Sequence, residues 1–391
     1  MKRLLVGAIA LALGAIPATA QSLEDLNIQI HGYATQGFLY STNNNFFTTT
    51  SSNGSPAWTE AVMNVSARPI PKLRIAVQAR YFLLGNYGNS VTIDFASADY
   101  KANDKFGVRV GKVKVPSGLF NETQDIDPSY MWALLPQSVY PIATRNSQLA
   151  AFGGVAYGAL KLGPKLGRLD YRGWSGEVSV GANDGLFTNE IETGTTLPDG
   201  LNGVENGTAL HWTLPLADNA LMFGASFIRD NTFSNPLSVG YGKYTGTETI
   251  RPANEPDYFA KYEKDKLMVA FEDARYTGSA LVVLPALGPY GISTTFIDNR
   301  EWFGMASYKI TGKLTAGAYN SQFFAHKHAL GPLRYSKDWV VSGRYDFNQF
   351  LYAKAEEHFV AGTYEDYDTT LNALGLKPTS KLTILKMGIN F

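Results

Sequence analysis

Three carboxylates stand close together in a part of the chain that has no regular secondary-structure pattern. Glu122, Asp125 and Asp127 lie in segment 115–149, which is rich in proline and aromatic residues. Carboxylates at this spacing repel one another unless cations or hydrogen-bond donors face them. With cations opposite them, fixed charges of this kind set up a local electric field. Arg145, at the far end of the segment, is a candidate strut that pairs with these acids.

Candidate cations to face the acids lie elsewhere in the chain, on the polar sides of alternating segments. A few acids, among them Asp94, Asp346 and Glu356, are interspersed with them. If the segments are neighbours in space, the cations form one basic wall opposite the acids of 115–149. The alternative interpretation is that each of these cations pairs locally with an acid on a neighbouring segment. The predicted wall consists of Arg74, Arg80, Arg109, Arg344, Lys354 and Lys386.

These segments are predicted to be β-strands, because polar and apolar residues alternate along them with a period of two. The clearest, 73–83, places Leu73, Ile75 and Val77 on one face and the arginines on the other. About sixteen such segments follow one another between residues 28 and 391. Short and longer connections alternate strictly between them, as in an up-and-down β-barrel. Segment 115–149 is the third of the longer connections, and a parity slip at Gly111 predicts a β-bulge at its entrance.

The polarity of the strands favours a membrane barrel over a soluble β-sandwich. In hydrocarbon every backbone polar group must be paired, so strands span a membrane only as a closed barrel. Its outer face is apolar, its interior is polar, and aromatic residues lie near the strand ends, as they do here. The chain ends in an alternating apolar stripe closed by Phe391. A terminal aromatic of this kind is typical of the signal that barrel-insertion machinery recognises.

The N-terminal residues predict export. Lys2 and Arg3 precede an apolar run, and Ala18-Thr19-Ala20 has the form of a cleavage site. We therefore expect residues 1–20 to be a signal peptide cleaved near Ala20, and 21–391 to form one barrel in the outer membrane. The chain has no cysteine, and the mature chain is close to neutral, which argues against a nucleic-acid partner. Outer-membrane lipid is the expected surrounding.

Three short runs resemble bacterial porin-like outer-membrane proteins. They are GKVKVPSGLFNET at Gly111–Thr123, LPQSVY at Leu135–Tyr140, and Glu357-His358 with Gly362-Thr363. The resemblance covers the whole mature chain in layout but only these runs in sequence. It implies a passive diffusion channel, often a homotrimer, whose third loop folds into the lumen. It implies neither a particular substrate nor a catalytic residue.

We therefore expect an all-β fold, a transmembrane antiparallel barrel of about sixteen strands that acts as a porin for small polar or charged solutes. Segment 115–149 is its candidate constriction loop, which either narrows the bore or closes it. No cofactor, metal site or enzymatic activity is expected, because no nucleophile elbow or phosphate-binding glycine motif is present. Two alternatives remain, an outer-membrane barrel enzyme and a secreted soluble β-sandwich that binds ligands. His326-Lys327-His328 has metal-binding spacing but no neighbouring ligand, and His358 is the best, though weak, catalytic candidate.

Overall fold

The computed structural model describes residues 26–85, 87–182, 184, 187, 191, 194–325, 331–364, 367 and 370–391. The predicted signal peptide and His326 to His328 lie outside these residues. Alternating sequence folds as β-strand throughout the described part of the chain. The strands are β1 Gln29–Ser41, β2 Ser55–Ile70, β3 Leu73–Leu84, β4 Asn89–Asn103, β5 Phe106–Lys114, β6 Ala150–Gly163, β7 Gly167–Val180, β8 Leu201–Leu214, β9 Leu221–Asp230, β10 Phe233–Val239, β11 Tyr244–Lys264, β12 Leu267–Val283, β13 Ile292–Lys309, β14 Leu314–Ala325, β15 Tyr335–Asp346, β16 Leu351–Gly362 and β17 Thr379–Asn390.

Sixteen of these strands form a closed antiparallel barrel, as predicted. Each strand pairs with its sequence neighbour, and β1 closes the sheet by pairing with both β2 and β17. The remaining strand, β10, forms a hairpin with the first part of β11, while the second part of β11 pairs with β9. The sequence analysis did not predict this hairpin. Thr245, Thr247 and Thr249 occupy one face of it, so polar and apolar residues do not alternate clearly there.

The alternation predicts strands at 267–276 and 300–309, and the corresponding β12 and β13 are longer. Leu281, Val282 and Val283 pair with Thr294, Ser293 and Ile292. From the sequence, the apolar run at 281–284 could pack into the barrel mouth, contact a neighbouring subunit or extend a strand. The structure makes its first three residues an extension of β12. Neighbouring threonines on β13 suit either face of a strand. Polar/apolar alternation therefore could not predict this extension.

Side-chain exposure is inverted relative to a soluble protein. Large apolar side chains point outward, such as Trp339 at 62% and Val341 at 60% exposure, while Glu272 and Lys354 on inner faces are buried. Within the described residues, no helix has the length and apolar character needed to cross a bilayer. The outer surface therefore suits hydrocarbon and the inner surface suits polar groups.

The last residue lies on the seam that closes the barrel. The Phe391 backbone exchanges hydrogen bonds of 3.1 and 3.0 Å with Gly32. A side chain at Gly32 would meet the Phe391 ring, with a Cβ 2.6 Å from its Cζ. Glycine at position 32 therefore leaves room for the terminal aromatic against β1.

The predicted β-bulge lies on a different strand. The β4–β5 ladder passes through Gly111 without a register shift, although Gly111 has φ +123°. The shift occurs instead in the β3–β4 ladder, where Asp94 has no partner between Phe95 and Ile93. The parity slip at Gly111 therefore reflects the left-handed backbone of a glycine, and the bulge turns Asp94 toward the interior.

Segment 115–149, called the inner loop below, contains a 3₁₀ turn at Asp127–Ser129 and one short helix, α1, at Arg145–Gln148. Its apolar side chains form part of two buried clusters with the barrel wall. One joins Leu134 to Leu39 and Trp58, and the other joins Phe120 and Trp132 to the strands of the opposite wall. The apolar core of the protein therefore lies between the inner loop and the wall.

Candidate functional site

The inner loop begins and ends at one place on the barrel wall. The Val115 N–H donates to Leu149 O at 2.9 Å, and the Asn121 amide donates to Val115 O at 2.8 Å and Gln148 O at 2.9 Å. Between these ends the loop contacts the inner faces of strands on all sides, from β1, β3 and β4 to β9, β12 and β17. The loop therefore crosses the interior of the barrel.

Asp127 pairs with two buried lysines of the barrel wall. Its carboxylate accepts from Lys386 Nζ at 2.5 Å and Tyr352 OH at 2.6 Å, and Lys354 Nζ lies 3.0 Å away. Lys354 and Lys386 are direct neighbours in the β16–β17 ladder. Burial alone would raise the pKa of Asp127, but the two lysines hold that pKa well below its usual range.

Asp125 and Glu122 are paired with other parts of the wall. Lys114 Nζ lies 2.7 Å from the Asp125 carboxylate, which also accepts from Gln78 Nε2 at 2.5 Å. Glu122 lies 3.2 Å from Arg109 Nη1 and 3.3 Å from Arg172 Nε. Each of the three predicted loop acids therefore contacts a cation directly, and no open gap separates the acids from these cations.

Arg145 pairs with the wall and not with the loop acids. Its two Nη atoms donate to the two oxygens of Asp94 at 2.9 and 2.8 Å. Burial would lower the pKa of Arg145, but Asp94 raises it above its usual range. The bulge in β4 provides this bidentate partner, which the sequence alone did not assign.

The predicted basic residues lie on one arc of the barrel, β3, β5 and β15–β17, brought together by the β1–β17 closure. Arg80, Lys354 and Lys386 are buried there. Arg80 Nε lies 2.5 Å from Glu60 Oε1, so its partner is a wall acid. The prediction of an open basic wall therefore needs correction for these three, because ion pairs and the inner loop cover them.

The other three predicted cations have different surroundings. Arg344 Nη1 donates to Pro128 O at 2.5 Å and Tyr130 O at 2.7 Å, and its guanidinium also contacts Asp346. Arg109 bridges Asp99 and Glu122 and is a quarter exposed. Arg74 is exposed and contacts only Ser66, at 3.3 Å, among the described residues.

Two wall glutamates hold the inner loop at positions that the sequence did not single out as anchors. Glu356 accepts the N–H groups of Ala133 and Leu134 at 2.7 and 3.1 Å. Glu272 accepts from Tyr140 OH at 2.7 Å. An acid on the inner face of a strand was the available signal, since Glu272 alternates with outward apolar residues. Its partner is 132 residues away and could not be read from spacing.

His358 faces inward beside one of these anchors. Its Nδ1 lies 2.6 Å from Asp338 Oδ2 and its Nε2 lies 3.3 Å from Glu356 Oε2. Both ring nitrogens therefore have carboxylate partners, which leaves neither free to take a proton from a serine. This arrangement supports loop anchoring and not nucleophilic catalysis.

Cavities remain on the side of the inner loop away from the basic arc. One, of about 330 Å³, lies between the loop and β7–β13. Another, of about 400 Å³, is lined by Arg172, His211, Met222 and Lys261, nearer the short-turn ends of β7, β8, β9 and β11. The two cavities share one arc of strands and lie at different heights along it. The arrangement leaves space with a mixed polar and apolar lining along that arc.

Sequence comparison finds no relative, since no protein-family model matches the chain and no curated protein does. Solved structures do match over nearly the whole chain. OmpF of Salmonella typhi has a TM-score of 0.60 at 12% identity and covers 95% of this chain and 99% of its own. An anion-selective porin from Comamonas acidovorans gives 0.56 at 10%, covering 93% and 99%. The trimer form of OmpT, an outer membrane protein of Vibrio cholerae, gives 0.55 at 10%, also covering 93% and 99%.

Identities of this size establish the fold and leave the activity open. The agreement extends over the full length of each solved structure, so it covers the closed barrel and not only a set of strands. This protein has the fold of the bacterial porins.

Proposed function

We propose that the protein is an outer-membrane porin, a passive diffusion channel for small polar or charged solutes. The observation that carries the proposal is a closed sixteen-stranded barrel with an apolar outer face and a charged inner face. A barrel of this size encloses an aqueous channel, whereas one of eight strands is filled by its own side chains. Solutes would cross down their gradients, and the channel would need no cofactor.

The inner loop would act as the constriction of the channel. Its acids, Glu122, Asp125 and Asp127, and Arg145 fix it to the basic arc and to β4. Cavities of about 330 and 400 Å³ lie along β7–β13, so we infer that solutes pass between the loop and that arc. Arg109 and Arg172, both about a quarter exposed beside Glu122, would contribute positive charge to this path, and Arg74 would do so near the short-turn end.

A barrel enzyme is the runner-up, and the arrangement of His358 argues against it. A Ser-His-Asp mechanism needs a serine hydroxyl within hydrogen-bonding reach of one imidazole nitrogen while an acid holds the other. Here both nitrogens meet carboxylates. We therefore assign the protein no enzymatic role.

Export, membrane insertion and assembly complete the proposal. Residues 1–20 would be removed near Ala20, outer-membrane lipid would surround the apolar band, and the insertion machinery would bind the strand that ends in Phe391. A homotrimer would have the barrels side by side through their outer faces. Chemical cross-linking in native membranes tests this state, and a product no larger than a monomer would contradict it.

Swelling of vesicles that contain the purified protein tests diffusion directly. We expect vesicles to swell in an isotonic sugar solution at a rate that falls as the sugar grows. Heat-modifiable migration on a detergent gel serves as the control that the barrel is folded. A folded preparation that leaves the vesicles impermeable to the smallest sugar would contradict the proposal.

A further inference from the structure

The cavity of about 330 Å³ beside the inner loop has a one-sided charge. It lies between loop residues such as Ser117 and Asn121 and the inner faces of β7–β13. Among the described residues, no lysine, arginine or histidine lines it. Its charged lining residues are all acids: Glu205 on β8, Asp230 on β9, Glu255 and Asp257 on β11, Glu272 on β12 and Glu301 on β13.

These acids differ from those of the inner loop in lacking counter-ions. Glu205 accepts from Trp174 Nε1 at 3.0 Å, Asp230 from Tyr276 OH at 3.1 Å, and Glu272 from Tyr140 OH at 2.7 Å. None of the six forms a salt bridge within the described part of the chain. Neutral donors satisfy single oxygens but do not offset the charge of several neighbouring carboxylates.

Asp257 shows most directly that a positively charged donor is lacking. The residue is only 2% exposed and lines the cavity. Ser226 donates to its Oδ2 at 3.2 Å, while its Oδ1 has no hydrogen-bond partner among the described residues. A buried acceptor without a donor costs free energy, and more so when the acceptor is ionised. A ligand with N–H donors would satisfy this oxygen.

The rest of the lining indicates the kind of cation. Val178, Leu201, Ile228, Phe233 and Ile250 give the cavity an apolar side that suits a short hydrocarbon chain. Tyr276 offers an aromatic ring of the kind that attracts ammonium groups. No three His, Cys, Asp or Glu side chains of the described residues are grouped as metal ligands would be. An alkylammonium ion matches both the apolar side and the carboxylates.

We propose that this cavity is a binding site for small aliphatic ammonium ions, with diamines bound more tightly than monoamines. One ammonium group would donate to Asp257 Oδ1, and the methylene chain would lie on the apolar side. A second ammonium group would reach Glu255 or Glu301, whose carboxylates form no hydrogen bond to the described residues. The proposal deepens the proposed channel, since it names a solute class for the arc of strands along which solutes would pass.

Calorimetric titration of the folded, detergent-solubilised protein with 1,4-diaminobutane tests the site. We expect saturable binding that is weaker for butylamine and absent for the neutral 1,4-butanediol. Replacing Glu255→Gln, Asp257→Asn and Glu301→Gln together should weaken diamine binding about tenfold or more, because charge-assisted hydrogen bonds are lost. None of these three carboxylates hydrogen-bonds directly to the inner loop, and asparagine at position 257 can still accept from Ser226, so the variant should keep its heat-modifiable migration.

The matched control removes the same charge at the short-turn end of the barrel. Asp218→Asn, Glu263→Gln and Asp265→Asn change exposed acids outside the cavity, and this variant should bind the diamine as the unaltered protein does. Equal binding by the cavity variant, or a preference for the dianion succinate, would overturn the proposal. So would the absence of binding to the unaltered protein at millimolar diamine.

Conductance in a planar bilayer separates failure of the site from failure of the channel. Conductance without diamine binding would contradict the proposed site and leave the proposed channel intact. Diamine binding without conductance would contradict the proposed channel and leave the proposed site intact.

Discussion

At the scale of single residues, buried ion pairs decide where the inner loop lies. Asp127 meets two lysines and a tyrosine, and Arg145 meets both oxygens of Asp94. Such pairs add little net stability compared with apolar packing, but loss of one partner leaves a buried charge uncompensated. Variants that remove one partner should therefore have large effects.

Asp127→Asn should destabilise the folded barrel by about 3–5 kcal/mol, because Lys354 and Lys386 would lose their common counter-ion. Urea unfolding in detergent, followed by tryptophan fluorescence, measures the change. Asp104→Asn, at an exposed pair with Lys101, provides the control and should leave the unfolding curve unchanged. Equal effects of the two substitutions would contradict the proposed anchoring.

The stabilisation by Asp127 should also depend on pH in a defined direction. Its pKa is lower in the folded barrel than in the unfolded chain, so the folded state favours the ionised form. The contribution is then complete above the unfolded pKa of about 4 and is lost as the pH falls toward the folded value. The difference in unfolding free energy between the unaltered protein and Asp127→Asn should shrink as the pH falls below about 4. A difference that grows on acidification below about pH 4 would contradict the assignment.

At the scale of elements, the entrance of the inner loop depends on a glycine. Gly118 has φ +60°, and a Cβ there would lie 2.7 Å from Tyr140 OH and 3.0 Å from Asp257 Oδ2. Gly118→Ala should thus displace the loop from Glu272, and it should destabilise the barrel by more than the roughly 1–2 kcal/mol that a left-handed alanine costs. Gly163→Ala isolates that backbone cost, because Gly163 has φ +93° and open space around it. Equal destabilisation by the two variants, measured by urea unfolding, would show that the loop entrance is not tightly packed.

The second half of the inner loop depends on Arg145. Arg145→Ala should leave Asp94 without its salt-bridge partner inside the barrel and loosen α1. We expect larger current fluctuations and a higher mean single-channel conductance in planar bilayers. Arg168→Ala removes an arginine from a more exposed pair with Asp170 and should leave the current unchanged. A quiet, unaltered current from Arg145→Ala would contradict a role for this anchor in holding the constriction.

The strands were predictable because each follows a local rule, while the site depends on contacts between distant residues. Outward residues such as Leu385, Met387 and Ile389 alternate with inward ones, which is enough to place a strand. The pairing of Asp127 with Lys386 spans 259 positions and depends on the path of the loop. Spacing in the sequence carries no information about that path.

The acids that line the cavity, called the acidic arc below, were not predicted for a related reason. Its members are single acids on separate strands, and only barrel closure brings β8, β9, β11, β12 and β13 side by side. The basic arc was found in advance because its strands flank the predicted closure of the barrel. Its exposure could not be predicted, because the inner loop covers Lys354 and Lys386.

At the scale of the whole molecule, charge is divided between two sides of the barrel. Loop and wall acids pair with most of the basic arc, whereas the acids that line the cavity of about 330 Å³ form no salt bridge within the described residues. Solutes on the second side would pass Arg109 and Arg172, which share Glu122 as a partner, and the more numerous acids of the cavity. The field along this path is therefore mainly negative. The channel should then admit cations more readily than anions.

Single-channel recording of the heat-modifiable protein in a planar bilayer, under a tenfold gradient of KCl, tests the central claim most directly. We expect ohmic current steps whose reversal potential has the sign of cation preference. Current steps with the opposite sign would contradict a path along the acidic arc. Absence of steps from repeated folded preparations would contradict the channel itself.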